Sequence, residues 1–266
     1  MKPGTLSGFS LEKQYFDCID DRGDCFILYR AELKYFFLRI NYSELIHCDS
    51  NGITSGNTSL SRTIKPGTGS PLLYVNNHLN IRGSWKRIDS PLPVYTLRNP
   101  ANRELTWNCH HPKTDTEITY QGKTFTGYGY TETLSLTIKP SDLPLNSIRW
   151  GHFHSDGYTL IWISLKGTHT LNKIYYNGKV FNDVQYEEES LCFDGARYQL
   201  KFLESTTIRK GKLASLFSSI PWIKIIFKKS LLTTSENKFK SKSVFIHNQK
   251  ISATGWSLYE IVTWKS

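Results

Sequence analysis

The chain has 266 residues and a formal charge of +10, long enough to bury a large core as one big β unit or as two β domains of ordinary size. Aromatic residues make up 14% of it, 15 of them Tyr, while Thr, Ser and Ile are frequent and Ala is scarce, which is a strand-forming palette. No run of roughly 18 apolar residues occurs and no continuous apolar stretch follows Lys2, so neither a membrane-spanning helix nor a secretion signal is expected.

In chain order, Lys13 to Ile46 reads as a β meander: KQYFDCID, a turn at Asp21-Arg22-Gly23-Asp24, then the strands CFILYRAEL and KYFFLRINYSEL. Asp49 to Pro71 is rich in Ser, Thr, Gly and Asn and is expected as a long loop or irregular edge. Strands resume at LLYVNNHLNIRGSWKRI, turn a Pro-rich corner at Ser90 to Pro93, and continue as VYTLR, ELTWNCHHP and TEITYQGKTFTGYGYTETLSLTI, with a hairpin turn at Gln121-Gly122. After KPSDLPLNS comes the clearest hairpin, RWGHFH and YTLIWISLKG around Ser155-Asp156-Gly157. Further strands are expected around Asn177-Gly178, at ARYQLKFLE, at KSVFIH and in SLYEIVTW. The one amphipathic helix candidate, KLASLFSSIPWIKIIFKKS, is interrupted by Pro221.

An internal echo bears on domain organisation. Gly23 and Gly157 close similar Asp-Gly turns, while Gly127 and Gly255 each precede an aromatic residue and stand five positions before Glu132 and Glu260. Both offsets are about half the chain, as two similar β units would produce. The expected fold is therefore all-β, in two antiparallel barrel or sandwich domains packed together, residues 1–140 and 141–266.

The five cysteines are odd in number and scattered without a CxxC pair, which fits free buried thiols in a cytoplasmic compartment. There is no P-loop, no GxGxxG at a strand-to-helix junction and no GxSxG elbow, so phosphoryl transfer, dinucleotide redox and α/β-hydrolase chemistry lack support, and no cofactor is expected.

Strand alternation puts Tyr128, Tyr130, Glu132 and Leu134 on one face. Glu132 is then either an ordinary surface charge or a carboxyl among rings, whose desolvation would suit a general acid. His152 and His154 share a face of the next strand. An HxH pair can chelate a metal, but no third ligand stands at a fixed spacing, so no metal is assigned. The pair serves either local structure or the orientation of an acid. His110 and His111, being adjacent, are expected on opposite sides. Trp107, Trp150 and Trp162 fall at strand positions, as core or as the wall of a lipophilic pocket.

Basic residues concentrate late. Arg209, Lys210, Lys212, Lys224, Lys228 and Lys229 surround WIKIIF, and Lys238, Lys240 and Lys242 follow. Residues 209–229 suit contact with an anionic membrane surface, or a strand with a solvated lysine face. No nucleic-acid motif accompanies the lysines, so no nucleic-acid partner is expected.

The succession GYGYTE, LTIKP, LPLNSIRWGHF and LIWI resembles the carotenoid 1,2-hydratase (hydroxyneurosporene synthase) superfamily, whose relatives include the lipocalin-like Diels–Alderases and tocopherol cyclase. The resemblance covers about Trp107 to Lys166. It implies two lipocalin-like β domains with a lipophilic site near their junction, and it places Tyr130 and Glu132 at the family's aromatic and acidic positions. Thr133, Leu134 and Ser135 stand where the hydratases carry a His-rich run and Asn-Trp-Gly, a departure from carotenoid hydration in particular. The resulting expectation is an enzyme for a hydrophobic isoprenoid or polyene, working by acid-assisted hydration or cyclisation. Glu132, Tyr130 and His152 are the candidate catalytic residues, and Trp107, Tyr128, Trp150, His154 and Trp162 the candidate substrate contacts. The alternative is a non-catalytic carrier for a lipophilic molecule, with or without membrane association.

Overall fold

The computed structural model describes residues 8–212 and 234–264, and within them the chain divides into two compact β units, Met1–Lys139 and Pro140–Ser266. The helix candidate at 212–230 lies outside the described residues except for Lys212. Among the described residues there is no α-helix, only two short 3-10 turns, and no helix is long and apolar enough to cross a membrane.

The first unit contains β1 (Phe9–Ile19), β2 (Cys25–Tyr35), β3 (Leu38–Cys48), β4 (Thr54–Ser59), β5 (Leu72–Asn76), β6 (Ile81–Arg87), β7 (Tyr95–Arg98), β8 (Glu104–Tyr120) and β9 (Lys123–Leu136). They form one antiparallel sheet in the order β4-β3-β2-β1-β9-β8-β6-β5, with β7 on β8. The last strand thus pairs with the first, Glu132 lying opposite Tyr15.

The sheet must curl, because residues from strands near its opposite ends touch. Tyr74 of β5 stacks on Phe16 of β1 at 5.3 Å, and its hydroxyl donates to Ser43 Oγ of β3 at 3.3 Å. The inside of the curl is filled by Phe16, Phe26, Leu28, Tyr74, Trp85 and Ile118, with Trp85 fully buried and its indole N–H donating to the Asp17 carbonyl at 2.7 Å. Gln14 to Ile19 are buried without interruption, so β1 is covered on both faces.

The second unit repeats the plan with β10 (Leu145–Ser155), β11 (Tyr158–Gly167), β12 (Leu171–Tyr176), β13 (Lys179–Phe181), β14 (Gln185–Tyr186), β15 (Ser190–Phe193), β16 (Tyr198–Lys212), β17 (Ser235–His247) and β18 (Lys250–Thr263). The order is β13-β12-β11-β10-β18-β17-β16-β15-β14, again last strand on first. Phe181 of β13 meets Phe193 of β15 at 5.0 Å, which closes this curl around Phe153, Trp162, Leu200 and Phe245. The echoing glycines occupy corresponding places: a Cβ on Gly127 of β9 would stand 2.1 Å from the Ile19 carbonyl at the end of β1, and one on Gly255 of β18 would stand 2.1 Å from the His154 carbonyl at the end of β10.

Two expectations are corrected here. KYFFLRINYSEL is not one strand: the chain reverses at Phe36-Phe37 between the paired residues Tyr35 and Leu38, against the strand preference of two phenylalanines. Asp49 to Pro71 is partly strand, since β4 pairs along the edge of β3.

Candidate functional site

Glu132 lies on the face of the first sheet that points away from the packed curl. Its neighbours across the ladder are Tyr15 on β1 and Cys109 on β8. One carboxylate oxygen, Oε2, accepts from the Tyr130 hydroxyl at 2.7 Å and from the Trp107 indole N–H. Tyr130 and Cys109 are fully buried, and the Tyr15 ring meets the Tyr130 ring edge-on at 6.0 Å. The structure therefore places the carboxyl among rings and brings together Glu132, Tyr130 and Trp107.

A bulge in β8 makes this possible. Between the pairs Cys109–Glu132 and Thr114–Gly129 the strand spends two more residues than β9 does, so its side-chain alternation is reset. The same bulge overturns the expectation for the adjacent histidines. His110 bonds Thr133 Oγ1 at 2.9 Å and His111 bonds Thr131 Oγ1 at 2.7 Å, and those threonines, two apart on β9, share the face opposite Glu132.

The electrostatics sort these groups by role. Burial pushes the Tyr130 hydroxyl well above its ordinary range, with the neighbouring Cys109 and Glu132 adding to it, so it remains a donor. Burial likewise pushes the Cys109 thiol up, which removes it as a thiolate nucleophile.

His111 is fully buried, and burial, followed by Arg87 and His110, brings its pKa down to about 4 from 6.5. In that window the unfolded chain binds a proton that the folded one refuses, so stability is lost as pH falls from 6.5 toward 4, by about 1 kcal/mol per unit. Urea midpoints measured from pH 7 down to about 4.5 should show this slope, and His111→Gln should flatten it.

The remaining predicted residues fall in different places. Tyr128 is half-buried on β9 with the Lys113 ammonium 4.0 Å from its ring centroid, so that ring face already has a cation. In the second unit, His152 and His154 are buried and their rings stack at 4.4 Å, with Trp150 6.0 Å from His152 on the same face. Trp162 does not join them. It pairs across the ladder with Gly151, not with a residue of the Trp150–His154 face, and packs into the second core 5.9 Å from Phe202.

Lys238 and Lys240 are corrected as well. Both are 2% exposed, so neither belongs to a solvated lysine face or a headgroup-binding patch. The Lys238 ammonium donates to Glu260 and lies 3.1 Å from Glu236. Glu260 is the counterpart of Glu132 in the echo, and a buried cation, Lys238, holds it. Of the 209–229 segment, only residues 209–212, with Arg209, Lys210 and Lys212, are described, at the end of β16.

Sequence reasoning missed Tyr15 and Cys109 as neighbours of Glu132. Tyr15 was accessible from alternation in KQYFDCI, whereas Cys109 depends on the bulge. A cavity of about 370 Å³ in the first unit, lined by Leu11, Glu12, Glu32, Lys34, Lys65 and Glu104 among others, carries several charged groups and does not include Glu132. Among the described residues no group of three or more His, Cys, Asp or Glu is placed to hold a metal ion.

No protein-family model matches the sequence, and no curated protein matches it either. Solved structures do match in fold. CghA, determined with Sch210972, superposes with a TM-score of 0.53 at 8% identity, covering 96% of this chain and 89% of its own. CghA determined separately gives 0.52 at 9% identity, covering 96% and 88%. A protein from Nitrosomonas europaea assigned as AttH gives 0.53 at 11% identity, covering 98% and 94%. At such identities the likeness is one of fold, and that fold is all-β with two lipocalin-like units, each a curled antiparallel half-barrel.

Proposed function

We propose that this protein is an enzyme acting on a hydrophobic, polyene- or isoprenoid-type molecule, with Glu132 supplying or receiving the proton in a hydration or cyclisation. The observation that carries this reading is the seating of Glu132: a carboxyl on a largely buried aromatic face, fixed through one oxygen by Tyr130 and Trp107. Two neutral donors orient the group, as a carboxyl that transfers a proton in a fixed direction requires.

In this reading Tyr130 and Trp107 are positioning residues. They hold Oε2, and the carboxyl so oriented carries the proton to an alkene carbon or polarises a carbonyl. Tyr15 completes the apolar wall. For His152, with Trp150 and His154 beside it, we propose ligand contact within the second unit, tested separately by the affinity of His152→Gln. The resemblance to the hydratase and cyclase superfamily and the lipocalin-like fold agree with a lipophilic ligand. They leave its identity open to experiment.

The test is to incubate the purified chain with a panel of linear polyenes and prenylated phenols and to analyse the extracts by mass spectrometry. Hydration appears as the gain of one water, cyclisation as an unchanged mass with altered retention. Ligands recovered bound but unaltered would replace the enzyme by a carrier.

A further inference from the structure

We propose that the tip of the β2–β3 hairpin is a membrane-docking element that seats its two phenylalanines in the interface of an anionic bilayer. Phe36 and Phe37 form the two-residue loop closed by the Tyr35–Leu38 pair, and they are 71% and 100% exposed. Phe36 has φ of +52°, in the left-handed region that bulky side chains avoid and that two-residue hairpin loops normally fill with Asn or Gly. Neither the backbone nor the solvent asks for phenylalanine here, so the fold does not account for the pair.

The tip is held in place. The Phe36 N–H donates to the Gly8 carbonyl at 2.7 Å, the Phe36 ring lies where a Cβ on Gly8 would come within 2.8 Å of it, and the Tyr35 ring meets Phe36 edge-on at 4.8 Å. An apolar tip presented on a fixed backbone binds without first ordering itself.

Charge selects the occupant. Lys34 and Arg39 face each other across the hairpin just behind the tip, their side chains 54% and 47% exposed. The Lys139 ammonium lies 5.4 Å from the Tyr35 ring centroid, and Lys65, 53% exposed, follows Ile64, which is 88% exposed. The carboxylates facing this group are Glu32, paired with Lys34 and Arg39, Glu12, paired with Lys65, and Glu104, which lines the same cavity as Lys34 and Lys65 and pairs with Arg98. With Arg98 included, five cations thus stand against three carboxylates, on a chain of charge +10. Basic side chains at phosphate depth with aromatic rings just below them are the arrangement that anionic interfaces favour. A two-residue tip is far smaller than the roughly 800 Å² per partner of a stable protein interface, whereas a bilayer needs no complementary shape.

The experiment is flotation of the full chain with vesicles of equal parts phosphatidylcholine and phosphatidylserine, beside vesicles of phosphatidylcholine alone. The wild type should bind the anionic vesicles, Phe37→Ser should weaken binding about tenfold or more, and Phe37→Trp should retain it. The double change Phe36→Asn with Phe37→Gly should abolish binding while its thermal midpoint stays level or rises, which separates the effect from misfolding. Failure of the wild type to bind overturns the proposal. So does full binding by Phe37→Ser, binding lost only when lysines in residues 209–229 are changed to Glu, or a tip that merely drives self-association of the chain.

Discussion

Replacing Glu132 by Gln is expected to lower turnover by about a hundredfold or more while ligand affinity changes by no more than about threefold. Gln keeps the shape of the side chain, and its carbonyl oxygen can still accept from Tyr130 and Trp107, so the site stays assembled. Only the transferable proton is removed. Glu132→Ala is the less informative change, because it strands two donors on a buried face, at a cost of about 1–3 kcal/mol for each stranded group. Tyr130→Phe and Trp107→Phe should each give a smaller loss, concentrated in kcat, since each removes a donor that orients the carboxyl. Steady-state kinetics on whichever substrate the extract analysis reveals, with affinity measured in parallel, decides the matter. Full activity in the Gln variant would end the assignment of Glu132 as the proton-transferring group.

Gly127→Ala and Gly255→Ala should each destabilise the protein by about 3 kcal/mol or more. The reason is local and the same in both units. The added methyl would meet a backbone carbonyl at 2.1 Å, that of Ile19 in one case and of His154 in the other. A backbone atom cannot swing aside as the end of a flexible side chain can. Relief requires parting the last strand from the first, the β1–β9 or β10–β18 ladder that completes each sheet. Equilibrium urea unfolding followed by circular dichroism measures both. A cost below about 0.5 kcal/mol in either variant would mean that the close approach is not a constraint on that ladder.

These two glycines also show how far the sequence could be read. Their spacing to Glu132 and Glu260 was visible as an echo, and the structure puts both at the same point of the same strand order. The hairpin at Asp156-Gly157 was legible from its turn chemistry, and the shared face of His152 and His154 from alternation. The place of Trp162 was legible too. A two-residue turn between Ser155 and Tyr158 sets Trp162 opposite Gly151, hence on the face away from the histidines, but the composition drew attention to rings rather than to register.

Other features were closed to sequence reasoning for physical reasons. Phe36-Phe37 reads as strand because aromatic residues favour strands, and nothing local reveals that the register of β2 on β3 places the turn there. The bulge in β8 has no sequence marker, yet it brings both His110 and His111 to one face and puts Cys109 beside Glu132. Lys238 and Lys240 read as surface charge because lysine is seldom buried without a partner. Glu236 stands two residues before Lys238, but Glu260 becomes its neighbour only through the pairing of β17 with β18.

The central claim is that a lipophilic ligand is held at the Glu132 face of the first unit. A crystal structure of the protein with a bound polyene tests it most directly. The account predicts ligand density in contact with Tyr15 and Trp107, with a reacting carbon within about 3.5 Å of the Glu132 carboxyl. Density confined to the cavity of Glu12, Lys34 and Lys65, or to a site without Glu132, would contradict it.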